Sequence, residues 1–256
     1  MKNNSGIRGF TLIELAMVLF IIALILGGVL TPLSAKLEQD QRKKTQDLLE
    51  QARDSLIGYA LVNGHLPCPD CPNGSSGSCS AVQSGLGASA INDGVEDGMS
   101  SGSPTNDRTM TPFTCATKEG NLPWTTLGLS EYDAWGNHFT YRVTDSFADD
   151  QDGTGCGTPT PGMSFEICST GNINVQDGSG NNVAQNLPAL VISFGKNADE
   201  PGNPTSSSEK ENQNGDALFI QKEYTNETGA DQFDDMLMWI PTSTLVYRMV
   251  EAEKLP

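Results

Sequence analysis

Histidine is almost missing from this chain: His65 and His138 are the only two among 256 residues. Nor is there a His-Glu-x-x-His pair or a phosphate-cradling glycine loop, which closes two common routes to metal-dependent hydrolysis and phosphoryl chemistry. Adjacent carboxylates such as Asp149-Asp150 and Asp234-Asp235 could serve acid–base work, yet in a chain with 32 acids such pairs are expected on the surface. No convergent chemistry emerges, and the chain reads as a building block rather than an enzyme. Basic residues are scarce too. Fifteen Lys and Arg against 32 Asp and Glu leave a net charge of −17, and only Arg42-Lys43-Lys44 forms a basic cluster. A phosphate backbone is bound through clustered cations, so nucleic acid is not an expected partner. Apolar residues are sparse beyond the N-terminus, whereas Gly (27 residues), Asn, Ser and Asp abound. That composition predicts a loop-rich body with a modest sheet core, suited to an extracytoplasmic surface.

The one long apolar run is N-terminal. From Phe10 to Thr31 only Thr11, Glu14 and Thr31 are not apolar, and about 20 residues at about 1.5 Å rise each span a bilayer as a helix. Lys2 and Arg8 precede it with no acid, which keeps that end cytoplasmic and sends the remainder outward. A cleaved signal peptide has a shorter apolar stretch, and Leu33-Ser34-Ala35 is a poor cleavage site. A plain anchor leaves Glu14 unexplained, because a carboxylate in hydrocarbon costs about 2.5–3.5 kcal/mol.

Gly9, followed by Phe10-Thr11-Leu12-Ile13-Glu14-Leu15 and an apolar helix, resembles the N-terminus of type IV prepilins and type II secretion pseudopilins. The resemblance implies cleavage after Gly9 by a prepilin peptidase and methylation of the new N-terminus, Phe10. It also implies assembly with other pilin or pseudopilin subunits from the inner membrane, Glu14 meeting the N-terminal amine of a neighbour. Two charges that are each costly in an apolar setting become tolerable when paired and hydrogen-bonded. The close resemblance covers residues 1 to about 31, and the rest is read on its own. An alternative function is a membrane-anchored extracytoplasmic binding or adhesion protein; the sizeable head points to a minor or specialised subunit if the chain builds filaments.

The expected fold is α+β: a pilin-like long N-terminal α-helix, half transmembrane and half amphipathic, packed on an antiparallel β-sheet head with long loops. Residues 1–9 read as a leader, 10–31 as the transmembrane and assembly helix, 32–64 as its amphipathic half and 65–256 as the head. Leu37, Leu48, Ala52, Leu56 and Ala60 fall near one helix face, and Asn63-Gly64 before Pro67 marks the stop. Gly27-Gly28 and Pro32 predict a loosened turn. Strands are expected at 138–143, 163–168, 189–195, 216–221 and 235–240, with long loops at about 70–120 and 196–215. Residues 241–255 suit either a short helix or a strand. A weaker resemblance to the segment where pseudopilin chains enter their sheet rests on Leu122, Pro123, Trp124, Leu127, Gly128, Asp133, Trp135, Gly136 and Tyr141. The residues themselves read as core aromatics (Trp124, Trp135) and turn formers (Asp133, Gly136).

Six cysteines in an exported chain point to disulfides, with 15 pairings open. Cys68, Cys71, Cys79 and Cys115 cluster around the long loop, and Cys156 with Cys168 is the favoured pair. Cys68-Pro-Asp-Cys71 is half of a zinc site without its second half. No cofactor is expected. Calcium suits the acid-glycine turns, with Asp150, Asp152 and Asp177 as candidates, although none fits the EF-hand pattern and Asp-Gly is ordinary turn chemistry.

Overall fold

The computed structural model describes residues 11–74, 77–149, 163–198, 206–225, 229 and 231–255, without the side chains of 26–33 and 88. Contacts divide the chain into two compact units, Met1–Lys43 and Lys44–Pro256. Helix α1, Leu12–Asn63, contributes to both and stops where the Asn63-Gly64 signal places its end. It runs as helix through Gly27-Gly28 and Pro32, where a loosened turn is expected. In the first unit, Leu12 to Ile25 is exposed all round, and so is Leu37. The buried stripe therefore does not start at Leu37. It begins in the second unit with Thr45 and continues through Leu49, Ala52, Leu56 and Ala60, a spacing of three and four that keeps one helix face inward.

The remaining elements of the second unit are α2 (Ser78–Leu86), β1 (Gly98–Ser100), β2 (Ser103–Thr105), β3 (Phe113–Cys115), β4 (Glu119–Asn121), α3 (Trp124–Leu127), β5 (Thr140–Val143), β6 (Ile173–Asp177), β7 (Asn182–Leu187), β8 (Ala189–Ser193), α4 (Ser207–Asn212), β9 (Leu218–Gln221), β10 (Met236–Ile240) and α5 (Thr242–Glu251). The unit is thus an α+β mix. Its central sheet has the order β10-β8-β5-β4, antiparallel throughout, with Tyr141 opposite Val191 and Leu190 opposite Trp239. Every residue of β8 is buried: Ala189 and Val191 face a core shared with α1, while Leu190 and Ile192 face a second core with Ile173, Val175, Phe219 and Phe233. A strand buried on both faces has no reason to alternate, which is why "ALVIS" reads as one apolar run.

A second sheet, β7-β6-β9, departs from the all-antiparallel expectation, because β6 and β9 pair in parallel. Parallel neighbours need a long crossover, and here the chain passes through β7, β8 and α4 between them. The third sheet, β2-β1-β3, and α2 lie in the stretch expected as irregular loop. Conversely, 163–168 forms no strand. Met163 and Phe165 are buried, Phe165 against Phe147, but the Ser164 amide donates to the Gly64 carbonyl rather than to a neighbouring strand. The tail is helical: α5 buries Leu245 and Met249. Within the second expected loop, α4 is capped by the Ser206 hydroxyl, which accepts from the Glu209 amide at 3.1 Å.

Candidate functional site

At the start of α1, Thr11 and Glu14 form a reciprocal cap. The Thr11 amide and hydroxyl both donate to Glu14 Oε2 at 2.8 Å, and the Glu14 amide donates to Thr11 Oγ1 at 3.3 Å. Thr-x-x-Glu spells this capping box in the sequence, where Glu14 was read only through its partner in another subunit. Among the described residues Glu14 Oε1 takes no hydrogen bond, so one oxygen caps the helix and the other is open. Gly9 and Phe10 lie outside the described residues. No helix is long and apolar enough to cross a membrane among the described residues; the expected span includes Phe10 and the side chains of 26–31, which are outside them.

The cysteines close the small sheet of the second unit. Cys68 bonds Cys115 and Cys71 bonds Cys79, with Cα separations of 5.2 and 5.5 Å. The half zinc site is thereby overturned, since Cys68 and Cys71 sit in different disulfides and neither offers a thiolate. Cys168 is also disulfide-bonded, and its favoured partner Cys156 lies outside the described residues. Beside these bridges Arg108 reaches inward. Its Nη2 donates to Glu96 Oε2 at 2.6 Å and its Nη1 to the Ala148 carbonyl at 2.8 Å, with the guanidinium 4.3 Å above the Phe113 ring. Glu96 also accepts from Tyr59 Oη and the Cys68 amide. Burial pushes the Glu96 carboxyl up, but the hydrogen bond and charge of Arg108 outweigh it and hold it below its ordinary value. Burial, followed by the Arg108 charge, pushes His65 down to about 4. Two acids nearby have no cation among the described residues: burial raises Asp70 to about 6 and Asp97 to about 7, although Asp97 accepts from the Cys71 amide.

A third group was missed by reading adjacent aspartates as surface. Asp234 and Asp235, leading into β10, are 6% and 3% exposed, and Glu209 of α4 is 0% exposed. One potential ligand atom from each of the three lies within 4.8 Å of the others. Each carboxylate gives one oxygen to the framework. Glu209 Oε1 accepts from the Asp234 amide at 3.2 Å and from Asn197 Nδ2 at 3.5 Å. Asp234 Oδ2 accepts from the Lys196 and Asn197 amides at 2.8 and 3.2 Å, and Asp235 Oδ2 from Asn212 Nδ2 at 2.7 Å. The other oxygen of each, Glu209 Oε2, Asp234 Oδ1 and Asp235 Oδ1, is buried with no hydrogen-bond partner. Among the described residues, none of the three makes an ion pair. Burial raises Asp234 to about 6 and drives Asp235 well above the ordinary carboxylate range. Gly195 is required beside them: at φ 68° it turns the chain, and a Cβ there would fall 2.6 Å from Asp234 Cγ.

The other predicted residues are scattered. Asp177 is half-buried and holds the β6–β7 turn, accepting from the Ser179 and Asn181 amides at 2.8 and 2.9 Å. Asp150 and Asp152 lie outside the described residues. Asp133 shapes a turn, its Oδ1 accepting from the Trp135 amide and its Oδ2 from Ser193 Oγ. Trp124 and Trp135 are half-buried rather than enclosed, and Trp124 stacks on His138 at 5.1 Å. Gly98-Met99-Ser100-Ser101-Gly102 spells Gly-x-Ser-x-Gly, but it joins β1 to β2, not a strand to a helix, so it is no nucleophile elbow.

Residues 4–30 match the family model for the prokaryotic N-terminal methylation motif, the signal of type IV prepilins and pseudopilins. The match supports a substrate of prepilin peptidase of the pilin or pseudopilin type and implies assembly with other pilins; the motif's family is structural. No curated protein and no solved structure matches the chain.

Proposed function

We propose that this chain is a subunit, minor rather than major, of a type IV pilus or type II secretion-like filament. A prepilin peptidase cuts after Gly9, Phe10 is methylated, and the first helix holds the chain in the inner membrane with the pilin-like head beyond it. The match over residues 4–30, which contains Gly9, Phe10 and Glu14, carries this reading. The open oxygen of Glu14 supports the assembly step. In the single chain Oε2 caps the helix, so Oε1 can receive a neighbour's N-terminal ammonium without loss of the cap. That pairing offsets the cost of placing a carboxylate in an apolar filament core.

Mass spectrometry of the protein from its native envelope is expected to find N-methylated Phe10 as the first residue. A chain beginning at Met1 or Lys36 would overturn the proposal. Glu14→Ala is expected to be processed normally yet lost from sheared filaments, in which the wild-type chain is a trace component. An anchored binding module would keep its surface level in that variant.

A further inference from the structure

We propose that the groove between β7 and the junction of β10 with α5 is a binding site for an uncharged saccharide of one or two rings, stacked on Trp239. The proposal stands on side chains of the second unit and not on the assembly reading. The groove has a volume of about 400 Å³ and is lined by β7 from Val183 to Leu187, by Thr170, and by Trp239, Thr242 and Ser243. Small-ligand sites commonly hold about 300–1,000 Å³. Trp239 stands opposite Leu190 in the central sheet and packs with Ala184 against the second core, yet it is only half-buried and lines the groove as well. Asn186 is fixed through its backbone from three sides. Its amide donates to Asn174 Oδ1 at 3.2 Å, and its carbonyl accepts from the Gly171 amide at 3.2 Å and from Thr242 Oγ1 at 2.6 Å. The groove is therefore held in shape before any ligand arrives, as a binding site requires.

The lining selects the ligand class. Among the described residues it holds no charged side chain, although 18% of the chain is charged. Two other grooves of the head differ in this, one being lined by Asp177, Lys222 and Glu223 and the other by Glu119. A charged group entering the Trp239 groove would lose water without gaining a counter-charge, and a net charge of −17 further opposes an anion. A purely apolar ligand fares no better. The side chains of Thr170, Gln185, Asn186, Trp239 and Ser243 make no hydrogen bond among the described residues, and such a ligand would cover them unpaired. Two amides that donate and accept, two hydroxyls that do both, and an indole N–H that donates match a ring of hydroxyl groups. The C–H face of the same ring suits the indole, which combines a broad apolar surface with one polar edge. A neutral sugar is thus the chemistry that uses every group.

Isothermal titration calorimetry with maltose, cellobiose, lactose and diacetylchitobiose decides the matter, using the full chain in a detergent that has no sugar headgroup. At least one of these sugars is expected to bind saturably, one per chain, with a dissociation constant of about 1 mM or below. Trp239→Ala and Asn186→Gly should each weaken that binding about tenfold. Tyr247→Ala removes an exposed aromatic of α5 outside the groove and should bind as the wild type does. Should Trp239→Ala fail to fold, Asn186→Gly remains decisive, because glycine takes the φ of 56° at this position without strain and only the side-chain amide is lost. Absence of saturable binding by all of the sugars, unchanged affinity in either folded groove variant, or loss of binding in Tyr247→Ala would each overturn the site. Tighter binding of digalacturonate than of the neutral sugars would overturn the ligand class. None of these results touches N-terminal processing, so the two proposals fail separately.

Discussion

Two regions of the head bury acids and treat them in opposite ways. Glu96 lies beneath the small sheet and is met by Arg108, Tyr59 and the Cys68 amide, so its charged form is favoured despite burial. Glu209, Asp234 and Asp235 lie between α4 and β10, are held as firmly, and have no cation from the described chain. Local packing therefore does not distinguish a compensated acid from an uncompensated one. The distinction lies in whether the chain supplies its own positive charge.

The largest effect should come from breaking the self-sufficient region. Arg108→Met strands the Glu96 carboxylate, and urea unfolding under oxidising conditions should show a loss of about 3–5 kcal/mol, recovered in good part by adding Glu96→Gln. A smaller effect of opposite sign comes from the other region. Asp235→Asn removes a charge that Glu209 and Asp234 repel and should stabilise the chain by about 1 kcal/mol, read from the thermal midpoint.

The smallest effect is the pH dependence of the uncompensated acids. Asp70, Asp97 and Asp234 have folded values of about 6, 7 and 6, above the ordinary value near 4 for an unfolded aspartate. Their protonated forms favour folding, so this stability is fully present below about pH 4 and is lost as the pH rises through 6 and 7. His65, lowered to about 4, works the other way: its stabilising neutral form is present above about pH 6.5 and lost as the pH falls toward 4. The midpoint should therefore rise on going from pH 8 to pH 6.5, and Asp97→Asn should flatten that rise.

What was legible in the sequence follows from the same physics. The N-terminal motif is a contiguous run, and the Asn63-Gly64 stop is local chemistry. Strands β5, β8, β9 and β10 appear within the β-branched and aromatic runs expected to form them. The stretch 163–168 misleads because Met163 and Phe165 are buried by a turn packed on the core, not by a ladder. The small sheet was hidden because its strands are three residues long and are fixed by Cys68–Cys115, Cys71–Cys79 and the Arg108 contacts rather than by propensity. The acid cluster was hidden for a different reason. Glu209 and Asp234 meet only after α4 and β9 have been placed, and an adjacent aspartate pair in an acidic chain gives no sign of burial.

Strand β8 has a consequence for how the head comes apart. Its two faces belong to different apolar clusters, so it is a party wall: neither side can be demolished while the other stands intact. Loosening the α1 side removes the backing of Leu190 and Ile192, and loosening the β6–β9 side removes that of Ala189 and Val191. The head is built to melt as one body, and its slowest-exchanging amides belong in β8, which gives Ala189 and Val191 to one cluster and Leu190 and Ile192 to the other.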